Sequence, residues 1–265
     1  MKAKKFTIDG TENGEVNLPK QFSEEFRPDL IKRAVLAIQS HNRQAYGASP
    51  DAGTRSSAYV SKRRKDYKTG YGKGQSRTPR KVILRRGLHF YFVGAFAPNT
   101  TGGRRAHPAK AGKVWDLKLN IKERRKAIRS AIAATMDQEK VKDRGHKSKS
   151  IVIDAKYEDL KKTKDVETFF KALGYQEELD RIAIKKIRAG KGKNRGRPYK
   201  KKKGPLLVVS KKCSLMKAAQ NMQGIEICEV KNLNAELLAP GTDAGRLTVW
   251  SDKALEIMEK EKLFY

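Results

Sequence analysis

The sequence predicts an α/β fold: a three-layer domain with a mostly parallel central sheet and helices on both faces, plus a long extended basic loop. Two observations predict it. From residue 150 onward, short apolar runs rich in β-branched residues alternate with stretches whose apolar residues recur every three or four positions. This alternation is typical of parallel β-α-β units with right-handed crossovers. Between residues 45 and 113, in contrast, the chain is rich in glycine and bases and has little with which to build a core.

The first 44 residues predict a hairpin followed by a helix. Weak alternation of polar and apolar residues predicts two short strands, at residues 4–9 and 15–18. Pro28 and Asp29 are typical of a helix start, and apolar residues then follow at helical spacing to about Gln44. The N-terminal part of the chain therefore contributes to the same domain as the C-terminal half.

The chain after residue 113 predicts the remaining elements. Asn120 is a candidate N-cap with Glu123 three positions later, and the helix that they begin extends to about Thr135. Strands are predicted at residues 150–154, 206–210, 225–230 and 247–250, and helices at residues 164–173, 177–187, 214–222, 234–238 and 252–262.

The net charge predicts a polyanionic partner. The 265 residues include 60 Lys and Arg against 29 Asp and Glu, a formal net charge of +31. A charge of this size opposes compaction by self-repulsion unless a polyanion neutralises it. The default partner is nucleic acid, and an acidic membrane surface is the rival interpretation.

Several classes of protein are disfavoured at this stage. No run of about 18 apolar residues is present to cross a membrane, and the N-terminus lacks the apolar region of a secretory signal. Cys213 and Cys228 are expected to be free thiols in a reducing compartment. Neither a transmembrane helix nor a secretory signal is therefore predicted, and a membrane is not among the predicted partners.

The charge is concentrated in two segments, which define the predicted domains. Residues 45–113 hold 16 bases and two acids, and residues 185–204 hold 11 bases and no acid. We predict a globular α/β domain formed by residues 1–44 and 114–265, with a second basic RNA-binding loop at 185–204. The glycine- and arginine-rich segment 45–113 is predicted to be an extended loop inserted in that domain, without regular elements.

Sequence motifs for enzyme chemistry are weak. No glycine-rich phosphate fingerprint follows a predicted strand, and the four histidines are isolated. Cys213 and Cys228 lack a second pair for a zinc site, and Cys213 is interpreted as a buried structural cysteine. Asp154, after a strand, is interpreted as a cap or turn residue rather than a catalytic group. No enzyme activity, cofactor or metal is predicted.

The basic segments provide the candidate site. Arginine forks match phosphate geometry, and the interleaved aromatic residues are suited to stack on unpaired bases. The predicted RNA-binding residues are Arg55, Lys62, Arg63, Arg64, Lys65, Lys68, Tyr71, Lys73, Arg77, Arg80, Lys81, Arg85, Arg86, Arg104, Arg105, His107, Lys110, Lys191, Lys193, Arg195 and Arg197.

Two alternatives apply to parts of these segments. Residues 90–96 (FYFVGAF) are also compatible with a strand of the core. Residues 190–204 taken alone are compatible with a localisation signal or a linker, although together with the first segment they indicate a second phosphate-binding loop.

Taken together, these segments resemble the universal L-four family of large-subunit ribosomal proteins, in its archaeal and eukaryotic form. The resemblance covers nearly the whole chain. The motifs that carry it are GGRRAHP (102–108), NIKER (120–124), SAIAAT (130–135), DRGH (143–146), KIRAGKG (186–192), RGR (195–197), LNAELLAPG (233–241) and GRLTVW (245–250).

The resemblance implies a structural protein of the large ribosomal subunit that binds and organises its rRNA. It implies a cytoplasmic location in that subunit, neighbouring ribosomal proteins as partners, and a loop that reaches into the RNA core. The loop tip would line the polypeptide exit tunnel and meet the nascent polypeptide. By position the tip falls around residues 67–86, with Lys73, Arg77 and Arg80 as the tunnel-proximal candidates. The alternatives are a free-standing RNA- or DNA-binding protein and, by fold analogy alone, an enzyme acting on RNA.

Overall fold

The computed structural model describes residues 1–66, 69–87 and 89–265. The contacts between residues divide the chain into two units. The first, called here the sheet unit, comprises Met1–Asn42 and Asp116–Tyr265, and the second, the loop unit, comprises Arg43–Trp115.

The sheet unit is built on a six-stranded sheet in the order β2-β1-β5-β10-β8-β9. Its strands are β1 (Lys2–Phe6), β2 (Glu12–Asn17), β5 (Ile151–Ile153), β8 (Leu206–Val209), β9 (Glu226–Glu229) and β10 (Thr248–Ser251). Only the edge pair β1 and β2 is antiparallel, and the other four pairings are parallel. The predicted mostly parallel sheet is confirmed.

Eight α-helices surround the sheet in the described residues. They are α1 (Pro28–His41), α2 (Ile121–Met136), α3 (Gln138–Asp143), α4 (Thr163–Ala172), α5 (Gln176–Ala183), α6 (Ser214–Ala219), α7 (Ala235–Leu238) and α8 (Asp252–Lys260). One apolar core combines α1, α2, α7 and α8 with one face of the sheet, and a second combines α3, α4, α5 and α6 with the other. This confirms the three-layer architecture.

Strand β8 shows how the sequence specifies both cores. Its four residues are all fully buried. Because successive side chains of a strand point to opposite faces, Leu206 and Val208 enter the first core, and Leu207 and Val209 enter the second. A strand covered on both faces has no polar positions, and this explains its uninterrupted apolar run.

Several of the predicted helix ends differ from the structure. Those predicted at about Gln44, Met222 and Lys262 lie at His41, Ala219 and Lys260. The helix predicted to reach residue 187 ends at Ala183, because Gln223 Nε2 donates to the carbonyl oxygens of Ile182 and Ala183 and the chain then becomes extended. Asn120 does occupy the N-cap position of α2, but its side chain makes no capping bond. The sheet unit also contains α3, which the sequence did not indicate.

The prediction that glycines prevent regular structure throughout residues 45–113 is wrong. Strands β3 (Arg80–Arg86) and β4 (His89–Gly94) form an antiparallel hairpin with a bulge near Ile83. The hairpin forms because Gly87 lies near its turn and because β3 and β4 contain β-branched and aromatic residues, which favour strands: Val82, Ile83, Phe90, Tyr91, Phe92 and Val93. The alternative that residues 90–96 form a core strand is also wrong, since β4 pairs only with β3 among the described residues.

The second basic segment is also a hairpin. Strands β6 (Lys186–Ile187) and β7 (Tyr199–Lys200) pair antiparallel, and a 3-10 turn, Lys193–Arg195, lies between them. Gly190 and Gly196 have φ values of +79° and +74°, which favour glycine at both ends of that turn.

Among the described residues, none of the helices combines the length and apolar character that crossing a membrane requires.

Candidate nucleic-acid interface

The predicted RNA-binding side chains of the described segments are almost all exposed. Arg80 and Arg104 are the exceptions, and both are half-buried. Within residues 45–66, 69–87, 89–113 and 185–202, no basic side chain forms a salt bridge with a carboxylate, whereas ion pairs are frequent in the rest of the sheet unit. These cations therefore remain available to phosphates. The prediction for Lys68 lies outside the described residues.

Close backbone contacts hold together the outgoing and returning arms of the loop unit. The amide of Ala48 donates to the carbonyl of Ala109 over 2.8 Å. A Cβ atom on Gly47 would overlap the backbone of Ala111, and one on Gly53 would overlap the backbone of Arg104. We expected glycines in this segment to permit close approach to RNA; these two permit close approach of one arm to the other.

Aromatic and cationic side chains gather where the two arms end. The Tyr46 ring stacks on the Trp115 ring with 5.1 Å between centroids. Arg43 lies 4.0 Å and Lys113 lies 4.3 Å from the Trp115 ring centroid, within the range of a cation–π contact. This cluster, called here the neck, was not predicted, although its residues flank the loop in the sequence.

The candidate tunnel-proximal residues lie around a turn at residues 70–80. Lys73 and Arg77 are exposed, and the Arg77 guanidinium lies 5.3 Å from the Tyr71 ring centroid. The Arg80 guanidinium is used within the loop, since Nη1 donates to the Ser76 carbonyl over 2.6 Å and Nη2 to the Ser76 hydroxyl over 2.7 Å. In this turn Lys73 and Arg77 present free charge, and Arg80 fixes the backbone.

The β3–β4 hairpin presents bases beside exposed apolar side chains. Lys81, Arg85 and Arg86 are exposed on β3, and Arg85 lies 5.4 Å from the Phe90 ring centroid. Four apolar residues of the hairpin are also well exposed, namely Ile83, Leu84, Tyr91 and Val93. Charge and aromatic surface are thus adjacent, as single-stranded RNA binding requires.

Two further bases of the first segment, Arg104 and Arg105, border a cleft inside the loop unit. The cleft has a volume of about 560 Å³ and is lined from both arms, with Arg104 and Arg105 on the returning arm. His107 and Lys110 are exposed on the same arm. A concave surface lined by unpaired arginines is suited to a phosphate.

The second basic segment presents its bases at the end of its hairpin. Lys191, Lys193, Arg195 and Arg197 are all exposed around the 3-10 turn. The neighbouring Arg188 donates from its guanidinium to the carbonyls of Arg197 and Tyr199, 3.2 and 3.3 Å away. Arg188 therefore braces the hairpin and leaves the other four bases free.

Buried polar side chains fix the end of this hairpin to the sheet unit. Arg181 Nη2 donates to the carbonyl of Lys203 over 2.8 Å, and Arg246 Nε donates to the carbonyl of Gly204 over 2.9 Å. Arg246 is fully buried and is paired with Glu226, whose carboxylate lies 2.6 Å from Nη1. Sequence inspection did not find these residues because each contact joins distant parts of the chain.

The carboxyl ends of the parallel strands hold an ion-pair cluster rather than a reactive site. Lys5 Nζ lies 2.5 Å from Asp154 Oδ1 and 2.7 Å from Asp252 Oδ2. Hydrogen bonding to Lys5 lowers the pKa of the Asp154 carboxyl below its usual value. Lys5 therefore ties the ends of β1, β5 and β10 together. Asp154 occupies the N-cap position of the 3-10 turn Ala155–Asp159, as the cap interpretation expected, but its side chain makes no capping bond.

The surroundings of the two cysteines disfavour reactive thiolates, and the possible metal ligands are dispersed in the described residues. Burial raises the pKa of the Cys213 and Cys228 thiols, the latter to about 11, so neither favours the thiolate. In the part of the chain that the structure describes, no group of three or more His, Cys, Asp or Glu residues lies together where it would hold a metal ion.

Comparison with known proteins gives a consistent result. The model of the "Ribosomal protein L4/L1 family" matches residues 16–261. The chain is 49% identical over 264 residues to the large ribosomal subunit protein uL4 of Nanoarchaeum equitans, with 98% of each chain covered. It is 45% identical to uL4 of Archaeoglobus fulgidus over 97% of this chain and 98% of that one. It is 42% identical to uL4 of Methanocaldococcus jannaschii over 98% of this chain and 99% of that one.

Proposed function

The chain belongs to the ribosomal protein L4/L1 family, and from that premise we propose how its two basic segments act. Membership confirms the resemblance noted in the sequence. The protein is a structural, non-enzymatic component of the large ribosomal subunit that binds large-subunit rRNA and neighbouring ribosomal proteins. The residues that perform this binding are the subject of the proposal.

The proposed rRNA-binding surface consists of the exposed bases of the loop unit and of the β6–β7 hairpin. The observation that carries this proposal is the absence of carboxylate partners for these bases in the described segments. Each phosphate that they neutralise releases counterions and adds roughly 0.7–0.9 to the salt dependence of binding. Lys68, outside the described residues, belongs to the same proposed set.

The two units have different proposed roles. The sheet unit has two apolar cores and acts as the anchor, with residues 1–44 and 114–265 as its predicted extent. Residues 45–113 act as the loop that reaches into the RNA core. The exposed Lys73 and Arg77 support a turn that lines the polypeptide exit tunnel and meets the nascent polypeptide, with Arg80 holding its backbone.

Sedimentation of a cell lysate tests the proposal. The chain is followed on sucrose gradients after washes at moderate and then high salt. We expect it to stay with the large subunit at high salt in one copy per particle, because a loop buried in RNA is not displaced by ions. Loss of the chain at high salt would contradict this and would favour the free-standing RNA- or DNA-binding protein.

Charge-removing variants test the assignment of residues. Replacing Lys73 and Arg77 together with Gln should leave assembly intact and weaken the crosslinks of a stalled nascent polypeptide to this turn. Replacing Lys62 and Lys65 with Gln is the matched control, since both are exposed bases outside the turn. Equal crosslinking in both variants would show that the turn at residues 70–80 does not line the tunnel.

A further inference from the structure

A cavity in the sheet unit lies beside the point where the second basic segment rejoins the fold. It has a volume of about 860 Å³, and its lining includes six bases and potential bases: Lys140, Arg144, His146, Arg181, Lys202 and Lys203. Lys140, Arg144, His146 and Arg181 lie outside the two segments in which the charge is concentrated, whereas Lys202 and Lys203 belong to the second segment. The cavity therefore joins the second basic segment to cationic side chains of the rest of the sheet unit.

Three side chains here have polar nitrogen atoms without a partner among the described residues. Arg144 donates from Nη2 to the carbonyl of Pro240 over 2.6 Å, but its buried Nη1 has no acceptor. His146 is only 3% exposed, and its Nε2 has no partner. Outside the lining, Nη2 of the fully buried Arg246 also has no acceptor. The unsatisfied Nη1 of Arg144 indicates a missing acceptor in the cavity, because buried donors are normally satisfied.

The charges around the cavity favour an anion. The pKa of Arg144 is lowered to about 10, mainly by burial and then by repulsion from Arg246 and Arg181, while Asp243 acts in the opposite direction. A nearby negative charge stabilises the charged form of a cation that burial and like charges disfavour. A bound anion would therefore stabilise the Arg144 guanidinium.

Among the described residues near the cavity, no carboxylate forms an ion pair with Arg144, although Asp243 acts on it from a distance. Glu178 already accepts from Arg181 and lies 2.7 Å from His146 Nδ1, and Glu226 is paired with Arg246 and Lys203. Asp143 and Asp243 are exposed members of the lining, and neither forms a salt bridge with Arg144. Lys140, also in the lining, is paired with Asp137.

We propose that this cavity binds one phosphate group, with Arg144 as the principal donor and Lys202 as its charge partner. The phosphate comes from the backbone of an RNA strand that passes the end of the second basic segment, or it is a free phosphate ion. The RNA source rests on the proposed function, whereas the phosphate chemistry does not. Arg181 positions the site, since it holds both Glu178 and the carbonyl of Lys203.

Titration of the full chain with inorganic phosphate tests the chemistry. The readout is the imidazole resonance of His146, assigned by its loss in His146→Gln and followed at constant ionic strength with chloride as the reference anion. We expect saturable shifts in the unmodified chain and an affinity at least tenfold lower in Arg144→Gln. The matched control is Lys142→Gln, an exposed base close by that does not line the cavity, and it should stay within twofold.

Binding to large-subunit rRNA distinguishes the two sources. If the phosphate belongs to RNA, the salt slope of Arg144→Gln should fall by roughly 0.7–0.9 relative to Lys142→Gln. If free phosphate fills the cavity, the His146 resonance responds to phosphate and the two salt slopes are equal. Absence of both effects would overturn the inference.

Exposed variants keep the test valid if Arg144→Gln does not fold. Lys202→Gln lines the cavity and Lys201→Gln does not, and both replace exposed lysines of the same segment. Equal phosphate affinities in these two folded variants would also overturn the inference. Failure of the proposed function would give a different result from failure of this inference. The unmodified chain would then be absent from the large subunit, whatever the phosphate affinities of the variants.

Discussion

The guanidinium carbon of Arg43 lies 4.0 Å from the centroid of the Trp115 ring. These residues are the first and last of the loop unit, and Tyr46 and Lys113 also pack on the same ring. The two ends of the loop unit are therefore joined by contacts of its own side chains. The loop has an internal order that does not depend on contacts with RNA.

Replacing Trp115 with Leu should open the neck. Cation–π and stacking contacts contribute about 0.5–1.5 kcal/mol each, so the joint loss of three such contacts should lower local stability by about 1.5–4.5 kcal/mol. We expect amide hydrogen exchange in the loop unit to become roughly tenfold faster or more, and exchange in β8 to stay unchanged. Tyr91→Leu, which replaces an exposed aromatic residue of β4, is the control and should leave exchange at the neck as it is.

Gly47→Ala should separate the arms of the loop unit. The new methyl group would overlap the backbone of Ala111, and overpacking of this kind costs about 1–3 kcal/mol. Limited trypsin digestion of the RNA-free chain should therefore cut the loop sooner. Gly112→Ala is a matched control, because a Cβ there meets nothing within 4 Å; equal digestion of both variants would contradict the close packing of the arms.

Lys193→Gln should weaken rRNA binding through electrostatics alone. Its side chain is exposed at the turn of the β6–β7 hairpin and has no carboxylate partner. The slope of log affinity against log salt should fall by roughly 0.7–0.9, as measured by filter binding. Lys253→Gln, an exposed lysine on α8, should leave the slope unchanged. If Lys193→Gln leaves the slope of log affinity against log salt unchanged, the turn of the β6–β7 hairpin is not part of the rRNA-binding surface.

Leu207→Ala should destabilise the sheet unit strongly. Leu207 is fully buried in the second core, so truncation leaves a cavity and should cost about 2–5 kcal/mol. Urea denaturation followed by circular dichroism measures this cost. Leu36→Ala makes the same chemical change at a residue of α1 that is 42% exposed, and it should cost less than about 1 kcal/mol.

The free energy of unfolding should fall as the pH drops below about 6.5, the usual pKa of a histidine in an unfolded chain. Burial lowers the pKa of His146 in the folded chain, despite the opposing effect of Glu178. Below pH 6.5 the unfolded state therefore binds the proton more readily, and the free energy of unfolding decreases. Above pH 6.5 both states are neutral and the effect disappears.

The matching measurement is urea denaturation between pH 5 and 8. His146→Gln should flatten the fall between about pH 5 and 6.5 by removing the titrating group. Glu178 does not interfere in that window. Burial opposes its ionisation, but hydrogen bonds from His146 and Arg181 lower the pKa of its carboxyl, so its contribution is lost only at lower pH. An unchanged profile in the variant would show that another group titrates there.

The elements of the sheet unit were predictable because their patterns are local. An uninterrupted apolar run such as 206–209 requires burial on both faces, and the three-layer architecture follows from several such runs. The hairpin of β3 and β4 was missed because a two-stranded ribbon has no core, so Ile83 and Tyr91 remain exposed and do not alternate clearly. Glycine content therefore gave the wrong expectation for that stretch.

The bases of the candidate interface were predictable from composition, but their roles were not. Lys73, Arg80 and Arg188 are indistinguishable as charges in the sequence. In the structure Lys73 is exposed, while Arg80 and Arg188 donate to backbone carbonyls of their own segments. The cavity residues His146 and Glu178 meet only after folding, and no local pattern predicts their contact.

Strand order has a consequence for how this protein is made. Strand β10 lies between β5 and β8, although it is the last strand to be translated. A growing chain that ends before Thr248 therefore leaves two inner strands without their shared neighbour. The sheet closes only after both cationic segments have been synthesised. Prematurely terminated products lack a finished core, and cellular proteases should degrade them rather than allow them to enter assembly.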